Sequence, residues 1–296
     1  MIEDAMTTIT DAKRRFLFEE LDVRGELVHL KGVLGEVSAI HAYPPPVQRL
    51  LGEFMAAAVL LASNLKFEGR LTVQARSDRQ VPLFMAECSS DKALRAIARG
   101  AQGALGDSFS ELLGEGQLVL TVAPAKGERY QGIVPLSSDS LAASIENYFA
   151  QSEQLQTRLY LHGSSTRAAG LLLQQLPAQL ARDKALRQRE FERLVLLADT
   201  LQREELLGLS DREVLHRLYH EDSLRLFDAQ RVRFACSCSA ERTRNALATL
   251  GAREIGSILE EQGSVTMDCE FCNQRYVFTA EDLVGLVDPP ATTALH

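Results

Sequence analysis

The sequence predicts an α+β protein in three parts: a core of mixed sheet and helix over residues 1–177, a highly charged helical linker over 178–230, and a small cysteine-bearing domain over 231–296. Three observations carry this reading. Short β-rich stretches bounded by turn residues alternate with helical stretches through the first half, the pattern of largely antiparallel sheets with helices packed on them. From residue 178 to 230 there are nine Lys or Arg and eleven Asp or Glu, far above the 24% charged of the whole chain. Four of the five cysteines fall in the last quarter, in two close pairs.

Taken in order, residues 25–34, 70–76, 80–87, 117–123 and 129–136 alternate or are rich in β-formers and are predicted strands. The "PAKGE" between the last two supplies Pro and Gly for a hairpin turn. Residues 47–65, 91–100 and 139–155 are predicted helices, with Gly100 as a C-terminal cap. In the linker, leucines recur at helical spacing through "LRQREFERLVLLADTLQREELLGL", an amphipathic helix that needs a surface for its apolar stripe. Gly208 breaks it, and Ser210 with Glu213 form a capping box for the next helix. In the last part, strands are expected around "VRF", "GSVTMD" and "RYVF", with a helix at "AERTRNALATLG".

Composition narrows the function classes. With 296 residues, 46% of them hydrophobic, the chain can bury a sizeable core. A net charge of -8 argues against non-specific binding to nucleic-acid backbones, which requires a concentrated cationic surface. The N-terminus lacks a signal-peptide pattern, and the longest uncharged apolar run, residues 54–65, is too short for the roughly 20 residues of a membrane span. The expectation is a soluble cytoplasmic protein that binds neither nucleic acid nor membrane.

Cys236 and Cys238 flank one serine, and Cys269 and Cys272 flank two residues. Two thiolate pairs that can converge on one point are the ligand set tetrahedral zinc prefers. The histidines at 29, 41, 162, 216, 220 and 296 lie outside both pairs, so the predicted site holds one Zn²⁺ by Cys236, Cys238, Cys269 and Cys272 alone. Such a closed, all-sulfur site is usually structural. A redox dithiol is the competing reading, but it leaves Cys236 and Cys238 unexplained. A domain of this size gains only about 3–5 kcal/mol from its own core, whereas structural zinc contributes about 10–16 kcal/mol. Losing the metal therefore unfolds the tail under either the static or the switching reading. Zinc keeps the sulfurs deprotonated, the form that peroxide attacks, and oxidised sulfur binds zinc poorly.

Other motifs carry less. Cys88 stands alone and reads as a partly buried small side chain. "GAQGALG" lacks phosphate-loop spacing, and "LHGSSTRAAG", with His162, lacks a nucleophile elbow. Arg242 and Arg244 sit among acidic neighbours and read as a solvated face.

At "FACSCSAER" and "DCEFCNQRYVF" the chain resembles the redox-regulated 33-kDa heat-shock chaperone family. "LLGEFMAAAVLLASNLKFEGRLTVQA", "YFAQSEQLQT" and "AAGLLLQQLP" extend the resemblance through the core, with Gln156 replacing an expected proline. The resemblance implies an ATP-independent holdase without enzymatic turnover. In its reduced form it holds zinc and is quiescent; oxidation with mild unfolding forms the disulfides Cys236–Cys238 and Cys269–Cys272 and expels the metal. The oxidised form, a homodimer, holds unfolding client proteins until they pass to an ATP-driven chaperone. Two rivals remain at this point: a zinc-ribbon nucleic-acid-binding or assembly protein with a permanent structural zinc, and a thiol–disulfide oxidoreductase.

Overall fold

The computed structural model describes residues 11–63, 68–136, 140–153, 155–180 and 183–286. Its first elements are an antiparallel pair, β1 (Ala12–Phe18) and β2 (Val23–Leu30), followed by helix α1 (Gly32–Ile40). Strand character therefore stops at Leu30, and the stretch expected to stay extended to residue 34 turns helical. The reason is remote in sequence: the Asp11 carboxylate accepts the backbone N–H groups of Lys31, Gly32 and Val33, which a helix start leaves unpaired.

Helix α2 (Pro45–Ala62) begins with prolines in its first turn, where the missing N–H costs nothing. Its last two expected residues, 64 and 65, lie outside the described residues. Strands β3 (Gly69–Ser77), β4 (Leu83–Ser89) and β5 (Ala93–Arg99) follow as a meander. β5 replaces the helix expected over 91–100. Its Ala, Leu and Arg favour a helix by propensity, but Leu94, Ala96 and Ala98 point alternately into the core, and pairing with β4 decides the outcome. Lys92, at φ 63°, makes the tight reversal between β4 and β5.

A short helix α3 (Phe109–Leu112) precedes the hairpin β6 (Gly116–Pro124) and β7 (Tyr130–Pro135), turned at "PAKGE" as expected. Helix α4 (Leu141–Tyr148) continues into a π-helical turn over Phe149–Glu153, so the expected helix is shorter and changes its winding; residues 139 and 154 are not described. Strands β8 (Thr157–Gly163) and β9 (Ala168–Gln175) close the core, and "LHGSSTRAAG" is their hairpin turn. There the Ser164 hydroxyl accepts from the N–H groups of Thr166 and Arg167 rather than serving as a nucleophile.

The linker sequence forms α5 (Lys184–Ala198), α6 (Arg203–Gly208), α7 (Asp211–Tyr219) and the short strand β10 (Leu224–Leu226); at and beyond its end come β11 (Gln230–Arg231) and β12 (Arg233–Phe234), the strand expected around "VRF". The helix expected to run unbroken to Gly208 is interrupted earlier, where Gln202 and Glu205 form a capping box; the expected Ser210–Glu213 box is present.

Among the described residues these strands form two six-stranded sheets. One has the order β10-β1-β2-β9-β8, with β11 also on β1; the other is β12-β5-β4-β3-β6-β7. All pairings are antiparallel except β12 with β5. Helix α2 lies between the sheets, touching β2, β8 and β9 of the first and β3, β4 and β5 of the second. That explains "FMAAAVLLA", apolar on every side: a helix buried all round has no polar face.

Small residues permit the close approach. A Cβ added at Gly163 would overlap the Arg49 carbonyl oxygen of α2. Gly163→Ala is expected to cost about 1–3 kcal/mol through forced backbone movement, read as a lowered midpoint in denaturant unfolding.

The other face of the first sheet, carrying Phe16, Phe18, Val23, Leu27, Ala169, Leu171 and Leu173, is covered by the linker helices. Phe191, Leu194 and Ala198 of α5, Leu206 of α6, and Val214, Leu215, Leu218 and Tyr219 of α7 supply the apolar side. The linker's many charges form the rim. Arg193 grips Asp222 through two hydrogen bonds, at 3.1 and 2.5 Å, Arg14 pairs with Asp211 at 3.0 Å, and Arg203 donates to the Gly163 carbonyl at 2.6 Å.

Two compact units result, Met1–Ala235 and Cys236–His296. In the second, helices α8 (Ala240–Leu247) and α9 (Ala252–Gln262) precede the hairpin β13 (Val265–Asp268) and β14 (Arg275–Phe278). α9 lies in a stretch where no helix was expected. The buried core of this unit is Leu247, Ile255, Val265, Phe278 and Leu283.

Candidate metal centre

The second cysteine pair sits in a tight backbone turn, and the first in an extended stretch. Cys269 and Cys272 lie in the loop that joins β13 to β14, where the Cys269 N–H donates to the Gln274 carbonyl at 2.9 Å and the Asn273 N–H to the Cys269 carbonyl at 2.7 Å. Asn273 takes a left-handed conformation, φ 55°, which asparagine tolerates better than most side chains. Cys236 and Cys238 lie just before α8, whose first turn is capped by the Ser239 hydroxyl. The Arg242 guanidinium donates to the Ser237 carbonyl at 2.7 Å and so braces the residue between them. Arg244 is likewise engaged inside the unit, with the carbonyls of Asp282 and Val284. Arg242 is exposed, as expected of a solvated face, and Arg244 half-buried, and both also hold backbone in place.

The four Sγ atoms lie within 4.8 Å of one another, with Cys236–Cys269 at 3.6 Å and Cys238–Cys272 at 3.5 Å. Four sulfurs at about 2.3 Å from a central ion would form a tetrahedron with edges of about 3.8 Å. The observed spacing fits that figure and is much longer than the roughly 2.05 Å of a disulfide. All four cysteines predicted from the sequence are brought together, and no histidine joins them among the described residues. Cys88 is not part of the group. It is fully buried in the core on β4, more deeply than expected, and burial pushes its thiol up to about 12.

Burial also raises the Cys269 and Cys272 thiols above their ordinary range, opposed by the backbone N–H groups of Phe271 and Gln274, which face the two sulfurs. At neutral pH thiols raised in this way stay protonated unless a cation offsets the charge of four adjacent thiolates. The arrangement is thus a set of soft donors that can hold one metal ion. One residue not singled out by the sequence belongs here. The Tyr276 hydroxyl donates to Cys238 Sγ at 3.1 Å, and this bond pushes its own ionisation up to about 12. Its sequence signal is slight, an aromatic four positions beyond Cys272 in a short strand.

The family model described as Hsp33 protein matches residues 11–279. The chain is 53% identical over 280 residues to the 33 kDa chaperonin of Pseudomonas aeruginosa (strain UCBPP-PA14), covering 94% of each. It is 52% identical over 279 residues to that of Azotobacter vinelandii (strain DJ / ATCC BAA-1303), covering 93% of this chain and 94% of the relative. The crystal structure of the 33 kDa chaperonin from Thermotoga maritima superposes with a TM-score of 0.80 at 23% identity, over 94% of this chain and 98% of that one, and so shares the fold. With a family match spanning nearly all the described chain and relatives at half identity named as chaperonins, this protein belongs to the Hsp33 family of chaperones.

Proposed function

We propose that this chaperone is a redox-regulated, ATP-independent holdase, switched by a Zn²⁺ ion that Cys236, Cys238, Cys269 and Cys272 hold in the reduced protein. The four-sulfur cluster carries the reading, because it stands in a unit with only five buried apolar side chains in its described core. When bound, the ion supplies cross-linking of two knuckles and charge compensation, with no open position for substrate chemistry. This makes the protein a binding device and not an enzyme.

Peroxide oxidises one thiolate of a pair to a sulfenic acid and leaves as hydroxide; the second thiolate attacks that sulfur and expels another hydroxide, giving a disulfide. Each pair loses two electrons to one peroxide, and the resulting neutral sulfurs no longer hold a cation. Sulfur proximity does not select the pairing, since Cys236 lies 3.6 Å from Cys269 and Cys238 lies 3.5 Å from Cys272. Once the hairpin loosens, chain connectivity favours Cys236–Cys238 and Cys269–Cys272, whose loops are the shortest.

In this scheme the chain works as three parts: a core to residue 177, a linker over 178–230 and a switch from 231. Loss of the metal unfolds the switch, the linker helices loosen from the first sheet, and the face bearing Phe16, Leu27 and Leu171 opens to unfolding clients. The oxidised form dimerises and hands clients to an ATP-driven chaperone in the cytoplasm.

The test measures zinc content and suppression of aggregation of a heat-denaturing client, before and after peroxide at elevated temperature. One zinc per reduced chain, its release on oxidation, and protection that appears only then and reverses with dithiothreitol are expected. Zinc retained, with equal protection in both states, would leave a permanent structural ion instead.

A further inference from the structure

Tyr276 stands on β14, opposite Met267 of β13, and is half-buried. Cys269 and Cys272 lie in the loop of this same hairpin, whereas Cys238 belongs to the other knuckle. The 3.1 Å bond from the Tyr276 hydroxyl to Cys238 Sγ therefore joins the two knuckles through a contact that does not pass through a metal. The sulfurs of Cys269 and Cys272 receive backbone N–H groups, which no side-chain replacement removes. Cys238 receives a side-chain donor, whose position depends on the order of β14.

An O–H donor to a thiolate draws electron density from the sulfur and fixes its direction, and hydrogen bonds to charged groups are among the stronger ones. We infer that Tyr276 is a positioning residue for the switch: its hydroxyl holds the Cys238 sulfur in the ligand set and shields it from electrophiles until β14 frays. This rests on the proposed zinc-bound, oxidisable centre and adds a regulator to it. Loss of hairpin order and exposure of Cys238 to attack become one event, so heat and oxidant act on the same bond.

The test uses the full-length, zinc-loaded chain with Tyr276→Phe, which removes the hydroxyl and keeps the ring. Limited labelling with iodoacetamide, in which the thiolate forms a carbon–sulfur bond and iodide leaves, is quantified at each cysteine by peptide mass spectrometry. Labelling of Cys238 relative to Cys269 and Cys272 is expected to rise about tenfold, with zinc transfer to a chromogenic chelator faster in parallel. Asp268→Asn serves as the comparison. It breaks the ion pair with Arg275 (2.8 and 3.0 Å) on the same hairpin and leaves the hydroxyl in place, so the labelling ratio should not change.

An unchanged Cys238 ratio in Tyr276→Phe overturns the inference, as does an equal change in Asp268→Asn, which would make general loosening the cause. A Tyr276→Phe chain that loads no zinc and loses amide protection throughout the tail also counts against it, since Tyr276 would then act in folding. Labelling is measured without oxidant or client. Wild-type protein that keeps its zinc under peroxide thus refutes the redox switch and leaves the labelling ratio to decide the role of Tyr276.

Discussion

Cys269→Ser is expected to weaken zinc binding by roughly a hundredfold to a thousandfold and to leave the second unit unfolded while the first remains folded. The reasoning is energetic. Structural zinc contributes about 10–16 kcal/mol, so an even share is about 2.5–4 kcal/mol per ligand. A serine hydroxyl stays protonated near neutrality and supplies no anionic sulfur. The core left behind, Leu247, Ile255, Val265, Phe278 and Leu283, is too small to compensate, because a domain of this size draws about 3–5 kcal/mol from packing. Competition with a chromogenic chelator reads the affinity. Hydrogen exchange reads the unfolding, as lost protection over Val265–Asp268 and Arg275–Phe278 with protection kept in β3, β4 and β6. Client protection should appear without peroxide, and an unchanged zinc titration would remove Cys269 from the site.

Tyr219→Ala is expected to activate the protein by a different route, with zinc still bound. Tyr219 is the largest fully buried side chain of the core, and it anchors α7 to the first sheet. Its ring meets Phe18 edge-on at 5.1 Å and Phe16 at 6.4 Å, and its hydroxyl donates to the Leu194 carbonyl of α5 at 3.2 Å. Truncation removes an aromatic cluster and a link between two linker helices, at a cost of about 3–5 kcal/mol. The charged rim does not replace this, since partly exposed ion pairs contribute about 0–1 kcal/mol each. Trypsin should then cut within residues 184–219 faster, and the variant should suppress client aggregation in the reduced state. Leu196→Ala, at a position 68% exposed, is the matched control and should behave as wild type. Normal docking and no reduced-state activity in Tyr219→Ala would separate the linker from client binding.

How much of this can be read from the sequence depends on how local the determining chemistry is. The cysteine group is readable because two short spacings and one ligand type specify it, and the Ser210–Glu213 cap because its partners are three residues apart. Strand β5 is not, because Ala93–Arg99 consists of good helix formers and becomes a strand only through β4 beside it. Helix α1 is missed for a related reason: the carboxylate that caps it, Asp11, lies about twenty residues upstream. β9 is buried on both faces, Leu172 toward α2 and Leu171 and Leu173 toward the linker, so it shows no alternation to detect. Tyr276 looks like any strand aromatic until the hairpin places its hydroxyl against a sulfur from the other knuckle.

The placement of α2 between two sheets also fixes an order of assembly. The second sheet takes β3 to β7 from one continuous run, Gly69 to Pro135, and neighbouring strands can pair as they leave the ribosome. The first sheet is split around that run: β2 must wait for β9, and Leu27 meets Leu171 only after about 140 further residues are made. Pairings so distant in sequence form slowly, because loop-closure entropy is lost before any contact is gained. Helix α2 can therefore pack on β3 to β5 before β8 and β9 have been made to cover its other side. The half of the core that the linker covers gains β9 only after β3 to β7 have been made, and the last edge strand to be added, β12, belongs to the second sheet.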